Sequence, residues 1–78
     1  MALYDIAGKE VKVGDLVAFN RPHYKGVQLG VIKKLNKKQF GVYPLVKENN
    51  SYRIEYSRPY NKIESVAVLD RNSINITN

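Results

Sequence analysis

The sequence predicts a small all-β protein, a five-stranded antiparallel barrel with little helix and a short N-terminal hairpin or arm. Three observations carry that expectation. A Gly14-Asp15 turn opens onto Leu16-Val17-Ala18-Phe19, where Val17 and Phe19 alternate as a half-buried strand requires. Two further runs, Val27 to Leu35 and Gln39 to Val46, repeat that spacing with Gly30/Ile32 and Phe40/Val42 and are separated by the turn-forming Asn36-Lys37-Lys38. Finally, no stretch repeats apolar residues at the i, i+3, i+4 spacing of an amphipathic helix.

The elements follow in order. Leu3 to Ile6 and Val11 to Val13 flank the turn Ala7-Gly8-Lys9 and predict the N-terminal hairpin or arm. Leu16 to Phe19 is the first barrel strand. Asn20 to Gly26 is a loop, because Pro22 removes a ladder donor and Gly26 permits a left-handed turn. Val27 to Leu35 is the second strand. Inward-facing Gly30 and Ile32 would put Lys34 inside under strict alternation, so a bulge is expected near Lys33-Lys34 to bring Leu35 inward instead. In the third strand Phe40 and Val42 share one face and Tyr43 and Leu45 the other, and Pro44 predicts that its end is an edge or a bulge. Lys47 to Ser51 is expected as a solvated loop. Tyr52, Ile54 and Tyr56 alternate with Arg53 and Glu55 in a fourth strand, a turn follows at Arg58-Pro59-Tyr60-Asn61, and Val66 to Leu69 closes the barrel. Residues 1–71 thus form one domain, and 72–78, with Ile74 and Ile76 as the only apolar residues, read as a polar C-terminal tail that frays.

The elements Gly14-Asp15-x-Val17-x-Phe19, Lys25-Gly26 and Gly30-x-Ile32-x-x-Leu35 resemble the KOW-type module of the SH3-like barrels, the class that includes Tudor-like domains. That resemblance implies an SH3-like barrel, with a single 3₁₀ turn near Arg58 to Asn61, whose loops contact RNA or protein. The layout, with Arg58-Pro59 ahead of a short final strand, is also similar to small proteins encoded by tailed bacteriophages.

Size and composition narrow the functional classes. A chain of 78 residues is one domain with a modest core. The absence of cysteine excludes disulfides, thiolate metal sites and a cysteine nucleophile, and fits a reducing cytoplasm, the host cytoplasm if the chain is phage-encoded. No apolar run approaches the roughly 20 residues of a membrane helix, and Met1 to Asp5 lacks the charged-then-apolar layout of a signal peptide. Enzymatic chemistry finds no footing. His23 is the single histidine, the acidic residues are scattered, and no glycine run could cradle a phosphate. Asp15 is expected to close its own turn by accepting backbone N–H groups. No cofactor or metal is expected.

The net charge of +6 is large for this length and attracts polyanions or acidic protein surfaces. Lys33, Lys34, Lys37 and Lys38 flank one turn with no acid between them, which suits phosphate contacts or, equally, a lysine-rich hairpin tip that guards a strand edge. Arg21, His23 and Lys25 surround Tyr24 in the loop that borders the binding groove of SH3-like barrels, and Arg53 and Arg58 are expected to approach the same surface. Tyr52 and Tyr56 are assigned to the core with Ile54, leaving Tyr24, Tyr43 and Tyr60 as surface candidates, of which Tyr24 and Tyr43 are possible stacking platforms for bases. The expected function is non-enzymatic nucleic-acid binding (DNA or RNA) of low sequence specificity through Arg21, Tyr24, Lys25, Lys33, Lys34, Lys37, Lys38, Tyr43, Arg53 and Arg58. The alternative is a phage-type accessory module that docks an acidic partner protein.

Overall fold

Asp15 begins the main sheet by folding back on its own turn. Its carboxylate accepts the Lys12 N–H at 2.8 Å, Gly14 takes φ +95°, and the Gly14 N–H donates to the Ile32 carbonyl at 2.9 Å. This computed structural model describes residues 2–20 and 26–77. The described residues form strands β1 (Leu3–Tyr4), β2 (Glu10–Val11), β3 (Leu16–Phe19), β4 (Gln28–Leu35), β5 (Phe40–Glu48), β6 (Ser51–Ile54), β7 (Tyr60–Ile63), β8 (Val66–Val68) and β9 (Ile76–Thr77), with one 3₁₀ turn at Arg71–Ser73. The protein is all-β.

β1 and β2 form the expected hairpin, shorter than the sequence suggests. The main sheet runs β8-β3-β4-β5-β6-β9, and β7 also pairs with β5. All its ladders are antiparallel except β6 with β9. In the path β8-β3-β4-β5-β7 the outermost strands are joined only by Glu64-Ser65. Four strand spacings in a flat sheet would separate them by about 19 Å. Three residue steps span at most about 11 Å. The sheet therefore curls, bringing β7 round toward β8, although no ladder between these two closes it into a barrel among the described residues.

The curl encloses Val11, Val17, Phe19, Ile32, Phe40, Val42, Ile63 and Val66. Gly30 belongs to this face because a Cβ there would stand 2.7 Å from Phe19 Cε1 and 2.8 Å from the Tyr43 carbonyl oxygen, and against Val42 Cγ1. The opposite face carries Leu16, Val31, Leu45 and Ile54, covered by Leu29, Tyr43, Tyr52, Ile74 and Ile76. Both faces of β3, β4 and β5 are thus buried, which explains apolar runs that do not alternate cleanly with polar residues.

Several expectations change in the structure. The bulge lies where the sequence places it, between Ile32 and Lys34. β5, however, runs past Val46 to Glu48 against β6 with Pro44 inside it, so Lys47 and Glu48 belong to a strand and the turn contracts to Asn49-Asn50. The Pro44 carbonyl accepts the Glu55 N–H at 2.9 Å. A residue's N–H and C=O point to the same neighbour in such a ladder, so the missing Pro44 donor also faces β6. There the partner chain departs. An uninterrupted register would bring Ser57 opposite Val42, but Tyr60 stands there, so three residues loop out between β6 and β7. Tyr56 consequently leaves the fourth strand, and the 3₁₀ turn expected at residues 58–61 is replaced by the new strand β7.

The segment expected to fray is ordered against the sheet. Ile76 pairs in parallel with Tyr52, the Tyr52 N–H donates to the Asn75 carbonyl at 2.7 Å, and Ile74 and Ile76 pack on the second apolar cluster. Asp70 accepts the Asn72 N–H at 2.9 Å to begin the 3₁₀ turn, and Arg71 donates to the Gly14 carbonyl at 2.6 Å.

Candidate nucleic-acid interface

The β4–β5 hairpin sets the position of four lysines. Its turn is closed by the Asn36 N–H donating to the Gln39 carbonyl at 2.9 Å, and Asn36 Nδ2 reaches the Asn61 carbonyl on β7 at 3.3 Å. Lys37 and Lys38 stand exposed at this tip. The bulge decides the arrangement of the other two. Lys34 lies opposite Gly41, whose added Cβ would meet Lys34 Cβ at 3.3 Å, and Gly41 and Tyr43 are two apart on one face of β5. Lys33, the extra residue, holds its Nζ 5.6 Å from the centroid of the Tyr43 ring. Lys33 and Lys34 therefore project from the same face as Tyr43, where unbroken alternation would have separated them.

Tyr43 is half-buried against the second apolar cluster and meets Tyr56 edge-on, with ring centroids 4.8 Å apart and planes at 70°. Tyr56 is 55% exposed. Its position comes from the excursion between β6 and β7. Glu55 accepts both the Ser57 hydroxyl at 2.7 Å and the Ser57 N–H at 3.2 Å, turning the chain immediately after Ile54. Those Ser57 bonds, with Arg53 beside them, hold the Glu55 carboxyl below the usual carboxylate range.

The remaining predicted residues divide. Arg58 is exposed within the same excursion as Tyr56. Arg53 is instead bound to carboxylates, Nε to Glu48 at 3.2 Å and Nη1 to Glu55 at 3.4 Å, and these are the only ion pairs among the described residues. Its charge is therefore internally answered, unlike that of the lysines. Tyr60, expected on the surface, packs beside the enclosed core with its ring centroid 5.9 Å from Phe19. Arg21, Tyr24 and Lys25, with His23, lie outside the described residues. Sequence reasoning also missed Glu64, which borders the same surface depression as Lys37 and Lys38 and brings one acid to the lysine tip. Its signal was topological: Glu64 becomes a neighbour only because β7 returns along β5.

The family described as Domain of unknown function (DUF7205) matches residues 4–68. The chain belongs to that family. Among curated proteins and solved structures, nothing matches the DUF7205 chain. The matched region runs to the end of β8, so it contains the hairpin lysines, Tyr43 and Tyr56, while the covering strand β9 lies beyond it. Among the described residues of this DUF7205 protein, no three His, Cys, Asp or Glu side chains are grouped to hold a metal. No helix among them is long and apolar enough to cross a membrane.

Proposed function

We propose that this protein is a non-enzymatic nucleic-acid-binding module of low sequence specificity, built on an SH3-like plan that the curled sheet supports. The observation that carries the reading is the bulge after Ile32, which gathers Lys33 and Lys34 on the Tyr43 face while Lys37 and Lys38 stand free of carboxylate pairing at the tip. Phosphates are the natural complement of several unpaired ammonium groups within one hairpin. Such contacts position a backbone without reading base edges, which makes the binding broad. Counterion release then supplies the affinity.

The test is titration of DNA and RNA oligonucleotides over a range of salt. Four lysine contacts give a slope of log affinity against log salt of about −3 to −4 on duplex DNA. Changing Lys33, Lys34, Lys37 and Lys38 together to Gln should flatten that slope and weaken all sequences alike. If the native protein binds no single- or double-stranded DNA or RNA at roughly 50 mM salt, conditions that favour phosphate contacts, the reading is overturned. An acidic protein partner then becomes the leading candidate, sought by capture from nuclease-treated lysate.

A further inference from the structure

We infer that the cleft between the β5–β6 turn and the 3₁₀ turn at Arg71–Ser73 binds a single nucleoside monophosphate with an adenine-type base, at the opposite end of β5 from the lysine hairpin. The cleft holds about 350 Å³, within the range of small-ligand sites. Three chain segments build it. Tyr52 on β6 and Ile74 supply its apolar part, and both already pack on the second apolar cluster, so a flat ring set there continues that packing. Asn49 and Asn50 line it from the β5–β6 turn, and Asn72 and Asn75 line it from the C-terminal segment. Each of these amides presents a donor and an acceptor side by side, the complement of the adenine N6/N7 edge. Lys47 adds the charge. It stands directly opposite Tyr52 in the β5–β6 ladder and makes no ion pair among the described residues. The two nearby acids are engaged elsewhere, Glu48 with Arg53 and Asp70 with the Asn72 N–H at 2.9 Å, and neither lines the cleft. A phosphate there meets a cation with no carboxylate beside it to repel it. The same chemical unit arrives as a free nucleotide or as the phosphorylated end of a strand.

Titration of isotope-labelled protein with AMP, followed by amide NMR shifts, should move residues 47–52 and 72–75 most. Lys47→Gln should weaken AMP binding about 5-fold, the worth of one charge-assisted hydrogen bond, and leave adenosine binding unchanged. Asn49 takes φ +54°, a left-handed conformation that glycine adopts without strain, so Asn49→Gly deletes an amide while keeping the turn and Tm. That variant should weaken AMP and adenosine alike, again by about 5-fold. An adenylate oligomer with a terminal phosphate identifies the source: matching shifts assign the site to strand ends, and shifts with AMP alone assign it to free nucleotide. Three outcomes overturn the inference. They are no shifts at about 10 mM AMP, where a millimolar site is nearly filled, equal shifts with inorganic phosphate alone, or native affinity in Asn49→Gly. Changing the four hairpin lysines to Gln should leave AMP binding intact, so this site and the lysine-hairpin reading fail separately.

Discussion

The carboxylate of Asp5 accepts the backbone N–H of Val68 at 2.9 Å, tying the N-terminal hairpin to the last long-range antiparallel strand across 63 positions. The same side chain accepts the N–H groups of Ala7 and Lys9 at 2.9 and 2.8 Å, and the neighbouring Ile6 N–H donates to the Val66 carbonyl at 3.0 Å. One residue therefore closes its own turn and also covers the outer edge of β8, a row of backbone groups otherwise open to pairing with another chain.

That arrangement predicts a pH dependence. The Val68 N–H, followed by those of Lys9 and Ala7, holds the Asp5 carboxyl below its ordinary value of 3.8. Because the folded value is depressed, the contribution is present above the unfolded value and is lost as pH falls through the folded one. Thermal melts of the native protein should weaken between about pH 5 and pH 2, the window of carboxylate protonation. Asp5→Asn should be less stable at neutral pH and flatter across that window, since the amide carries no charge to lose. Equal acid sensitivity in the two proteins would assign the effect to other carboxylates.

Gly30 is predicted to be intolerant of any side chain. A Cβ would meet the Tyr43 carbonyl oxygen, which is backbone and cannot swing aside as Phe19 could. Gly30→Ala should cost about 1–3 kcal/mol by overpacking. Ile32→Ala on the same face, where the native side chain is 1% exposed, should cost about 2–5 kcal/mol by leaving a cavity. Chemical denaturation of both variants checks the enclosed core.

Removing residues 74–78 should destabilise the protein rather than leave it unchanged. Ile74 and Ile76 are only half-buried, but they cover Leu16, Val31, Leu45 and Ile54, whose surface returns to water when the segment is cut. A loss of about 1–2 kcal/mol would lower Tm by about 4–8 °C for each kcal/mol. An unchanged Tm would show that the parallel β6–β9 ladder contributes nothing in solution.

Arg53 and Lys37 should behave differently in salt titrations. Lys37→Gln removes a cation with no paired carboxylate and should reduce the salt slope by about 0.9 if it contacts a phosphate. Arg53→Gln removes one already held by Glu48 and Glu55 and should leave the slope unaltered. Its effect on stability should also be small, about 0–1 kcal/mol, as for exposed ion pairs generally. Identical slope changes in both variants would mean that Arg53 leaves its carboxylates to bind.

Alternation in Leu16–Phe19 and Phe40–Val42, the left-handed glycines and the conflict at Lys33-Lys34 were legible because each concerns residues a few positions apart, where chain geometry alone sets the outcome. The bulge is the best case: Gly30, Ile32 and Leu35 could not share a face without one. Tyr56 was misread for the same reason. Tyr52-Arg53-Ile54-Glu55-Tyr56 is a good strand by alternation, but it ends early where it faces Pro44 on β5 and Glu55 captures Ser57.

The sequence by itself determined that the protein is all-β, where the main strands lie, and that four lysines meet at one hairpin, because turn chemistry and period-two burial are local properties. Tertiary structure decided the rest. Pairing across long separations buried both faces of the central strands, fastened β9 beside β6 with Ile76 on the second apolar cluster, brought Glu48 and Glu55 to Arg53, and set Tyr56 against Tyr43. Burial counts the surface covered on both partners, and the sequence of one segment states only its own half.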